Sequence, residues 1–228
     1  MPEQSNHGKL ILSIYSGWAL IVFILTFISG GPSTDNITKF LVIVFLSVQL
    51  LIYYTVSIKK KFYQKNVFFI LFLLFAAVVE GFHMISAPVF SSLKISFSMN
   101  PIEILTKYVI DLLFTIPAYI AIYWVIWYFV NKYKYKLWEY VLIIALGQAL
   151  GDGGLFFFIS TPFMLIFLPY VMINYHSMNV VPYLLVKNRI EPHINSRTKY
   201  LIPPISIIII YLICGSVIRI IGALFSFV

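Results

Sequence analysis

The chain consists largely of apolar blocks, and each block is about as long as a lipid bilayer is thick. About 20 apolar residues in a helix cross the hydrocarbon core of a bilayer. Seven blocks of roughly this kind are predicted, at residues 10–30, 37–58, 66–87, 102–130, 137–152, 155–186 and 201–228. Because backbone polar groups inside lipid must bond within the chain, the blocks predict an all-α, polytopic membrane bundle of about seven transmembrane helices.

The composition excludes a soluble fold. Hydrophobic residues make up 61% of the chain and charged residues only 11%, whereas a soluble domain carries about 25% charged residues. The basic balance does not predict a nucleic-acid partner, because most Lys and Arg residues lie in short loops between the blocks. A single cysteine, Cys214, rules out a disulfide framework. No cofactor is predicted; the expected partner is a membrane lipid or sterol ligand, with a homodimer left open.

The positions of the basic residues predict the orientation in the membrane. Clusters at 59–65, 132–136 and 187–199 all fall on one side of the bundle, and the opposite loops hold little beyond Lys39, Lys94 and Lys107. Loops rich in Lys and Arg face the cytosol, so the N-terminus is predicted to be cytosolic. The first block is expected to remain as a span, because residues 1–8 lack a basic stretch and no small-residue cleavage site follows.

Three carboxylates interrupt the apolar blocks and are the main functional signal. Glu80 comes late in the third block, Asp111 early in the fourth and Asp152 at the end of the fifth. In the predicted orientation all three lie in the outer half of the bilayer. A carboxylate inside a membrane is costly and is a functional-site hypothesis by default. The three acids predict one shared cavity that opens toward the non-cytosolic side.

The Glu80–His83 pair has more than one interpretation. Three residues apart on a helix, the two side chains share a face. A Glu-x-x-His pair can ligate a di-iron site, but such a site needs further helices with the same motif. None is present, so no metal site is predicted. In a purely structural alternative, His83 donates a hydrogen bond to Glu80 and helps hold two helices together.

Other polar residues in the blocks also have two interpretations. Lys107 either forms an ion pair that lowers the cost of Asp111 or snorkels to the interface, and Pro117 is expected to kink the helix and widen a cavity. Gly147 and Gly151 form a small-residue motif that is typical of close helix packing, which leaves Gln148 and Asp152 unexplained. The last polar group either lines the cavity or satisfies backbone groups freed near Pro182; it comprises Asn174, Tyr175, His176 and Asn179.

The acids and their neighbours resemble the EXPERA membrane family, which includes the emopamil-binding sterol isomerase and the sigma-two receptor. VVEGF at 78–82 is similar to the Ile-Glu-Gly-aromatic element of that family. DLLFTIP at 111–117 is similar to an element of the sigma-two branch, and GQALGD at 147–152 to one of the isomerase branch. The resemblance covers residues 66–186. It divides the chain into two N-terminal spans at 1–65, a four-helix ligand-binding domain at 66–186, and a basic loop with a last span at 187–228.

The resemblance implies a cavity for sterols or cationic amphiphiles, and an endoplasmic reticulum location in a eukaryote. Glu80 and Asp111 match the two buried acids of the family, which in the isomerase branch move a ring double bond by proton transfer. The isomerase branch has a histidine where this chain has Ala76, and His83 is predicted to take its place. The predicted catalytic residues are Glu80, Asp111 and His83; the predicted substrate-binding residues are Gln148, Asp152, Asn174, Tyr175, His176 and Pro117.

Three functions follow in order of preference. The first is a membrane protein that binds a sterol or isoprenoid and isomerises a double bond in it. The second is a non-enzymatic sterol-binding or trafficking regulator of the sigma-two type. The third is a small proton-coupled transporter, ranked lower because no inverted repeat or paired broken helices are evident.

Overall fold

The computed structural model describes residues 6–55, 64–192, 194–225 and 227. Within these residues all regular structure is helical, and seven helical segments are long and apolar enough to cross a membrane. The prediction of an all-α, polytopic membrane bundle is confirmed at this level. The predicted end of the second span at residue 58 and the basic residues 59–61 lie outside the described residues, as do residues 1–5.

The described residues contain eight α-helices: α1 (Asn6–Gly30), α2 (Thr34–Thr55), α3 (Gln64–His83), α4 (Pro101–Lys132), α5 (Leu137–Ala149), α6 (Leu155–Ser160), α7 (Leu168–Val186) and α8 (Ile202–Leu224). A π-helical turn, Leu150–Gly154, joins α5 to α6. Three short 3-10 helices lie at Ser91–Leu93, Pro162–Phe167 and Arg197–Tyr200. In α4 the backbone stays helical through Pro117.

The predicted boundary between the fifth and sixth spans is wrong. The glycines at 151–154 do not end the fifth span; it continues through the π-turn to Ser160, so that residues 155–160 belong to it rather than to the sixth. The Leu155 N–H bonds to the Leu150 carbonyl, which carries the helix across the extra residue. The chain breaks instead at Thr161, because the residue before a proline disfavours helical backbone and Pro162 has no N–H to donate.

The helices close into a ring, and α7 is the helix that packs against the largest number of other helices. Helix α7 packs against α1, α2, α3 and α5, while α8 packs against α4 and α5, and α3 packs against α4. One hydrophobic core runs through the bundle and includes Val42 of α2 and Ile207 of α8. The first two and the last span therefore share the core of the central helices, and α8 forms part of the ring.

Large apolar side chains face outward on most of the spans. Leu20, Leu51, Leu113 and Ile220 are each more than half exposed, although a soluble protein rarely exposes large contiguous apolar patches. The membrane covers such side chains in an integral protein. Several polar side chains that fall within the spans, among them Asp111, Gln148 and Asn174, are buried inside the bundle.

Gly147 and Gly151 form the contact between α5 and α8. A Cβ atom on Gly147 would lie 2.9 Å from the Pro204 Cα, and one on Gly151 would lie 2.7 Å from the Tyr211 Cβ. Both distances are shorter than carbon atoms tolerate, so only glycine permits this approach. The packing interpretation of the glycine motif accounts for both residues, and the partner is the last span.

A buried ion pair ties the basic loop to α5. The Lys199 ammonium lies 2.7 Å from a Glu139 carboxylate oxygen, and the Tyr200 hydroxyl donates to the other oxygen at 2.6 Å. A short parallel bridge between Tyr133 and Ile194 joins the same loop to the α4–α5 connection. Lys199 thus has a structural role in addition to its predicted contribution to the cytosolic charge.

Candidate functional site

A cavity of about 540 Å³ lies inside the ring of helices. Residues of α3, α4, α7, α8, the π-turn and the loop after α3 line it. Its polar lining residues are Glu80, His83, Ser91, Thr115, Tyr119, Asp152, Asn174, Tyr175, Tyr211 and Arg219. Its apolar lining includes Ala118, Ile122, Met178 and Ile218. A cavity of this size with a few convergent polar groups is the usual form of a small-molecule site.

Glu80 lies on the cavity wall near the end of α3. The residue is only 9% exposed, and the Tyr119 hydroxyl of α4 donates a hydrogen bond to its carboxylate. The Tyr119 ring stacks on the Tyr123 ring with centroids 5.6 Å apart, which fixes the donor. Glu80 is therefore held in one orientation, facing the space between α3 and α4.

Asp152 reaches the same cavity because the helix is distorted at this point. Its backbone leaves the helical region, with φ −80° and ψ 43°, and Gly153 follows at φ 88°, a conformation that favours glycine. The Tyr175 hydroxyl of α7 donates to the Asp152 carboxylate at 2.5 Å. Single π-turns inside α-helices occur frequently at functional sites. Here the turn directs a carboxylate inward that a regular helix would place elsewhere.

Asp111 does not line the cavity. It is fully buried, and its Oδ1 accepts the Val89 N–H at 2.8 Å. Val89 itself lines the cavity, so Asp111 holds the loop that forms one side of it. Its other oxygen has no hydrogen-bond partner among the described residues. Lys107 pairs with Glu103 at 3.4 Å rather than with Asp111.

The three acids differ in their relation to the cavity. Glu80 and Asp152 have surfaces on the cavity, whereas Asp111 stands behind its wall. The acid that faces the cavity together with Glu80 is therefore Asp152.

His83 lies between two cavities. It lines the main cavity and also a second one of about 410 Å³ near the α1–α2 turn. Its Nε2 atom is buried without a hydrogen-bond partner among the described residues. The hydrogen bond from His83 to Glu80, which the structural alternative requires, is absent among the described residues; the side chain that donates to Glu80 is Tyr119.

Lys39 is a buried cation that the sequence interpretation missed. It is 9% exposed, and its ammonium donates to the Asn174 Oδ1 at 2.8 Å. It also interacts electrostatically with Asp35 and Asp152. Lys39 was counted as a loop cation, although it falls inside the block predicted at 37–58. A lysine inside an apolar block is the signal that identifies such a residue.

Three predicted substrate-binding residues lie away from the cavity. Gln148 is fully buried; it accepts a hydrogen bond from Asn179 and donates one to the Tyr211 hydroxyl at 3.3 Å. The His176 Nε2 lies 2.7 Å from the Tyr15 hydroxyl, toward α1. Pro117 is exposed on the outside of α4. Of the residues predicted to bind substrate, Asp152, Asn174 and Tyr175 line the cavity. Gln148 lies behind the cavity wall, where its hydrogen bond supports Tyr211.

The arrangement suits proton transfer or the binding of a polar group. Within the described residues no three His, Cys, Asp or Glu side chains are placed to hold a metal ion. Two carboxyl groups, each fixed by a tyrosine hydroxyl, face one partly apolar space. Such a pair can deliver a proton at one point of a ligand and remove one at another.

Comparisons with known proteins do not assign this chain to a family. No family model, no curated protein and no solved structure matches this chain. The EXPERA resemblance therefore stays a prediction carried by residues 78–82, 111–117 and 147–152, and the chain is identified here as an all-α protein with seven candidate membrane spans.

Proposed function

We propose that this membrane protein is of the EXPERA type and binds a sterol or isoprenoid in the cavity, where it moves a double bond by proton transfer. The observation that carries the proposal is the placement of Glu80 and Asp152 on the wall of one cavity. A double-bond shift needs an acid and a base that face the same apolar space.

The reaction balances without a cofactor. One carboxyl group gives its proton to an alkene carbon, the π bond breaks, and a carbocation forms on the adjacent carbon. The other carboxylate removes a proton from the carbon next to the cation, and the electron pair of that C–H bond becomes the new double bond. The remaining carboxylate and the faces of Tyr119, Tyr175 and Tyr211 stabilise the cation.

The acid pair of this proposal differs from the pair that the resemblance implies. The resemblance assigns the proton transfer to Glu80 and Asp111, with His83 as a third residue. Asp111 holds the Val89 backbone behind the wall, whereas Asp152 faces the cavity. We assign the second proton-transfer role to Asp152 and leave Asp111 as the acid that shapes the site.

Deuterium incorporation tests the activity. Purified protein is incubated in deuterated water with a sterol that carries the unshifted ring double bond and, separately, with farnesol. Deuterium in a product with a shifted double bond is the expected result. Glu80→Gln and Asp152→Asn should each lower the incorporation at least a hundredfold, because each removes one partner of the proton transfer. Glu103→Gln is the matched control, since Glu103 is an exposed acid on α4 and should leave the rate unchanged.

The Asp111→Asn variant tests whether Asp152 or Asp111 is the acid that acts together with Glu80. If Asp152 is the second acid, this variant keeps most of its incorporation and loses stability instead, because the cap on Val89 is weakened. Loss of incorporation in Asp111→Asn together with full activity in Asp152→Asn would contradict our assignment.

A second candidate, a non-enzymatic binding protein, is favoured by the two tyrosine hydrogen bonds. Tyr119 and Tyr175 each donate to a cavity acid, which supports a carboxylate that binds a ligand rather than one that gives up a proton. The thiol of Cys214 lines the cavity and is the only one in the chain, so its reaction with N-ethylmaleimide reports occupancy. Protection of Cys214 by a sterol without deuterium incorporation would establish the binding protein and exclude the isomerase.

A further inference from the structure

Arg219 stands at one edge of the cavity and is the feature that the proposed function leaves unexplained. It lies on α8, five residues before the end of that helix at Leu224, and it lines the cavity. It is exposed, whereas Glu80 in the same cavity is buried. At about 1.5 Å per residue, Arg219 is about 8 Å from the helix end, a depth from which a long side chain reaches the headgroup region.

The guanidinium has no counter-ion within the part of the chain that the structure describes. Among residues 6–55, 64–192, 194–225 and 227, no carboxylate lies within 4.0 Å of it, and the two ion pairs present there involve other cations. Charged side chains within membrane segments are costly and normally pair with an opposite charge. Arg219 is therefore available to an anion that enters the cavity or lies at its edge.

Aromatic side chains surround this edge of the cavity. Phe90 and Phe227 both line it, and their rings stack with centroids 5.5 Å apart. The Ser92 hydroxyl donates to the Phe227 carbonyl at 3.1 Å, which joins the loop after α3 to the end of α8. Aromatic rings and arginine together are typical of the membrane–water interface. This edge is the mouth of the cavity.

Asp152 lies at the level of Tyr211, farther along α8 from the mouth than Arg219. Tyr211 is eight residues earlier on α8, it packs against Gly151 next to Asp152, and its ring contacts Tyr175, which donates to Asp152. Eight residues correspond to about 12 Å along a helix. The other charged or titratable side chains that line the cavity are Glu80, His83, Asp152, Cys214, Tyr119, Tyr175 and Tyr211, with Lys39 behind Asn174. The cavity therefore offers a cation at its mouth and the Asp152 carboxylate about 12 Å farther along α8.

We propose that the ligand is an amphiphile with one anionic head group, a phosphate or a carboxylate, which Arg219 holds at the mouth while the hydrocarbon chain extends inward. This inference rests on the proposed function and narrows its substrate class to a charged isoprenoid or similar acidic lipid instead of a neutral sterol. A planar guanidinium binds both anions through paired hydrogen bonds. With the head group fixed, a double bond about 12 Å along the chain lies at the level of Asp152, which faces the cavity together with Glu80.

Matched probes that differ only in the head group test this inference. Farnesyl phosphate is compared with farnesol, and farnesoic acid with the same alcohol, by their protection of Cys214 from N-ethylmaleimide in the full-length protein. The two anions should protect at lower concentration than the alcohol. Arg219→Gln should weaken protection by the anions on the order of ten- to hundredfold, because a charge-assisted hydrogen bond is lost, and should leave the alcohol unchanged. The phosphate and carboxylate arms decide which anion is preferred.

Two further variants control for charge and folding. Lys94→Gln removes an exposed cation from the loop after α3 without touching the cavity, and should leave all three probes unchanged. Arg219→Lys keeps the charge and should retain part of the preference for anions even if Arg219→Gln fails to fold.

The outcomes separate this inference from the proposed function. Equal protection by farnesol and farnesyl phosphate in the unmodified protein would overturn the proposed role of Arg219. Arg219 would then contact only the phosphates of the bilayer, and the proposed ligand cavity would not be affected by this result. An equal loss for all probes in Arg219→Gln would also overturn it. Failure of every probe and of the sterol to protect Cys214 would instead contradict the proposed function.

Discussion

At the scale of single residues, Lys39 shows how a charged group is accommodated inside the bundle. Its ammonium is buried and donates to Asn174 at 2.8 Å, next to Asp152. A buried charge is tolerated where hydrogen bonds and opposite charges compensate its lost hydration. Lys39 therefore positions the cavity residue Asn174 and balances the charge of Asp152, although it lies behind the wall.

Replacement of Lys39 tests this positioning role. Lys39→Met should lower the thermal stability of the detergent-solubilised protein by about 1–3 kcal/mol, because Asn174 loses its donor and Asp152 loses a neighbouring cation. Lys94→Met, at an exposed position, is the matched control and should change the stability by less than about 0.5 kcal/mol. Equal stability of Lys39→Met and the unmodified protein would show that the buried ammonium contributes nothing net.

The sequence identified some residues of the site and missed others for a physical reason. Glu80, Asp152 and Asn174 stand out because polar groups are rare in apolar blocks. Tyr119 and Tyr211 do not, because the chain has 16 tyrosines and only the fold shows which of them face a cavity. A hydropathy pattern does not distinguish a tyrosine whose hydroxyl faces a cavity from one that faces lipid.

At the scale of elements, the π-turn between α5 and α6 is the most informative segment. Block lengths predicted the other spans within a few residues, since the length of a bilayer-spanning helix is nearly fixed. At residues 150–154 the glycines indicated a break, and Asp152 and Gly153 do leave helical backbone, yet the helix resumes at Leu155 and the same span continues to Ser160. Whether glycines end a helix or distort it depends on the packing partner, here α8, which no local pattern specifies.

The approach of α5 to α8 leads to a test at Gly151. Gly151→Ala places a Cβ 2.7 Å from the Tyr211 Cβ, so α8 must shift and move Tyr211 in the cavity. The stability should fall by about 1–3 kcal/mol, as in other overpacked interfaces, and protection of Cys214 by ligand should weaken. Gly17→Ala is the control, because nothing lies within 4 Å of its added Cβ. A stability loss no larger than that of Gly17→Ala would contradict the tight α5–α8 contact.

At the scale of the whole molecule, the site belongs to the complete ring of helices. The resemblance places the ligand-binding domain at residues 66–186, and that division stays a prediction. The cavity also needs α8, which contributes Tyr211, Cys214 and Arg219 to its wall, and Lys39 of α2 supports it from behind. A fragment limited to residues 66–186 would lack one side of the cavity. The last span is part of the site rather than an additional anchor.

The orientation of the whole bundle is predicted from charge and has a direct test. Loops rich in Lys and Arg stay in the cytosol, which predicts that residues 187–199 lie inside and that the loop between α3 and α4, with the mouth of the cavity, lies outside. In a Cys214→Ser background the chain has no other thiol. Phe97→Cys, at a 92% exposed position, should then react with a membrane-impermeant maleimide on intact cells, while Asn188→Cys, also exposed, should react only after permeabilisation. The reverse pattern would invert the predicted topology and open the cavity toward the cytosol, so the charged lipid would enter from the inner leaflet.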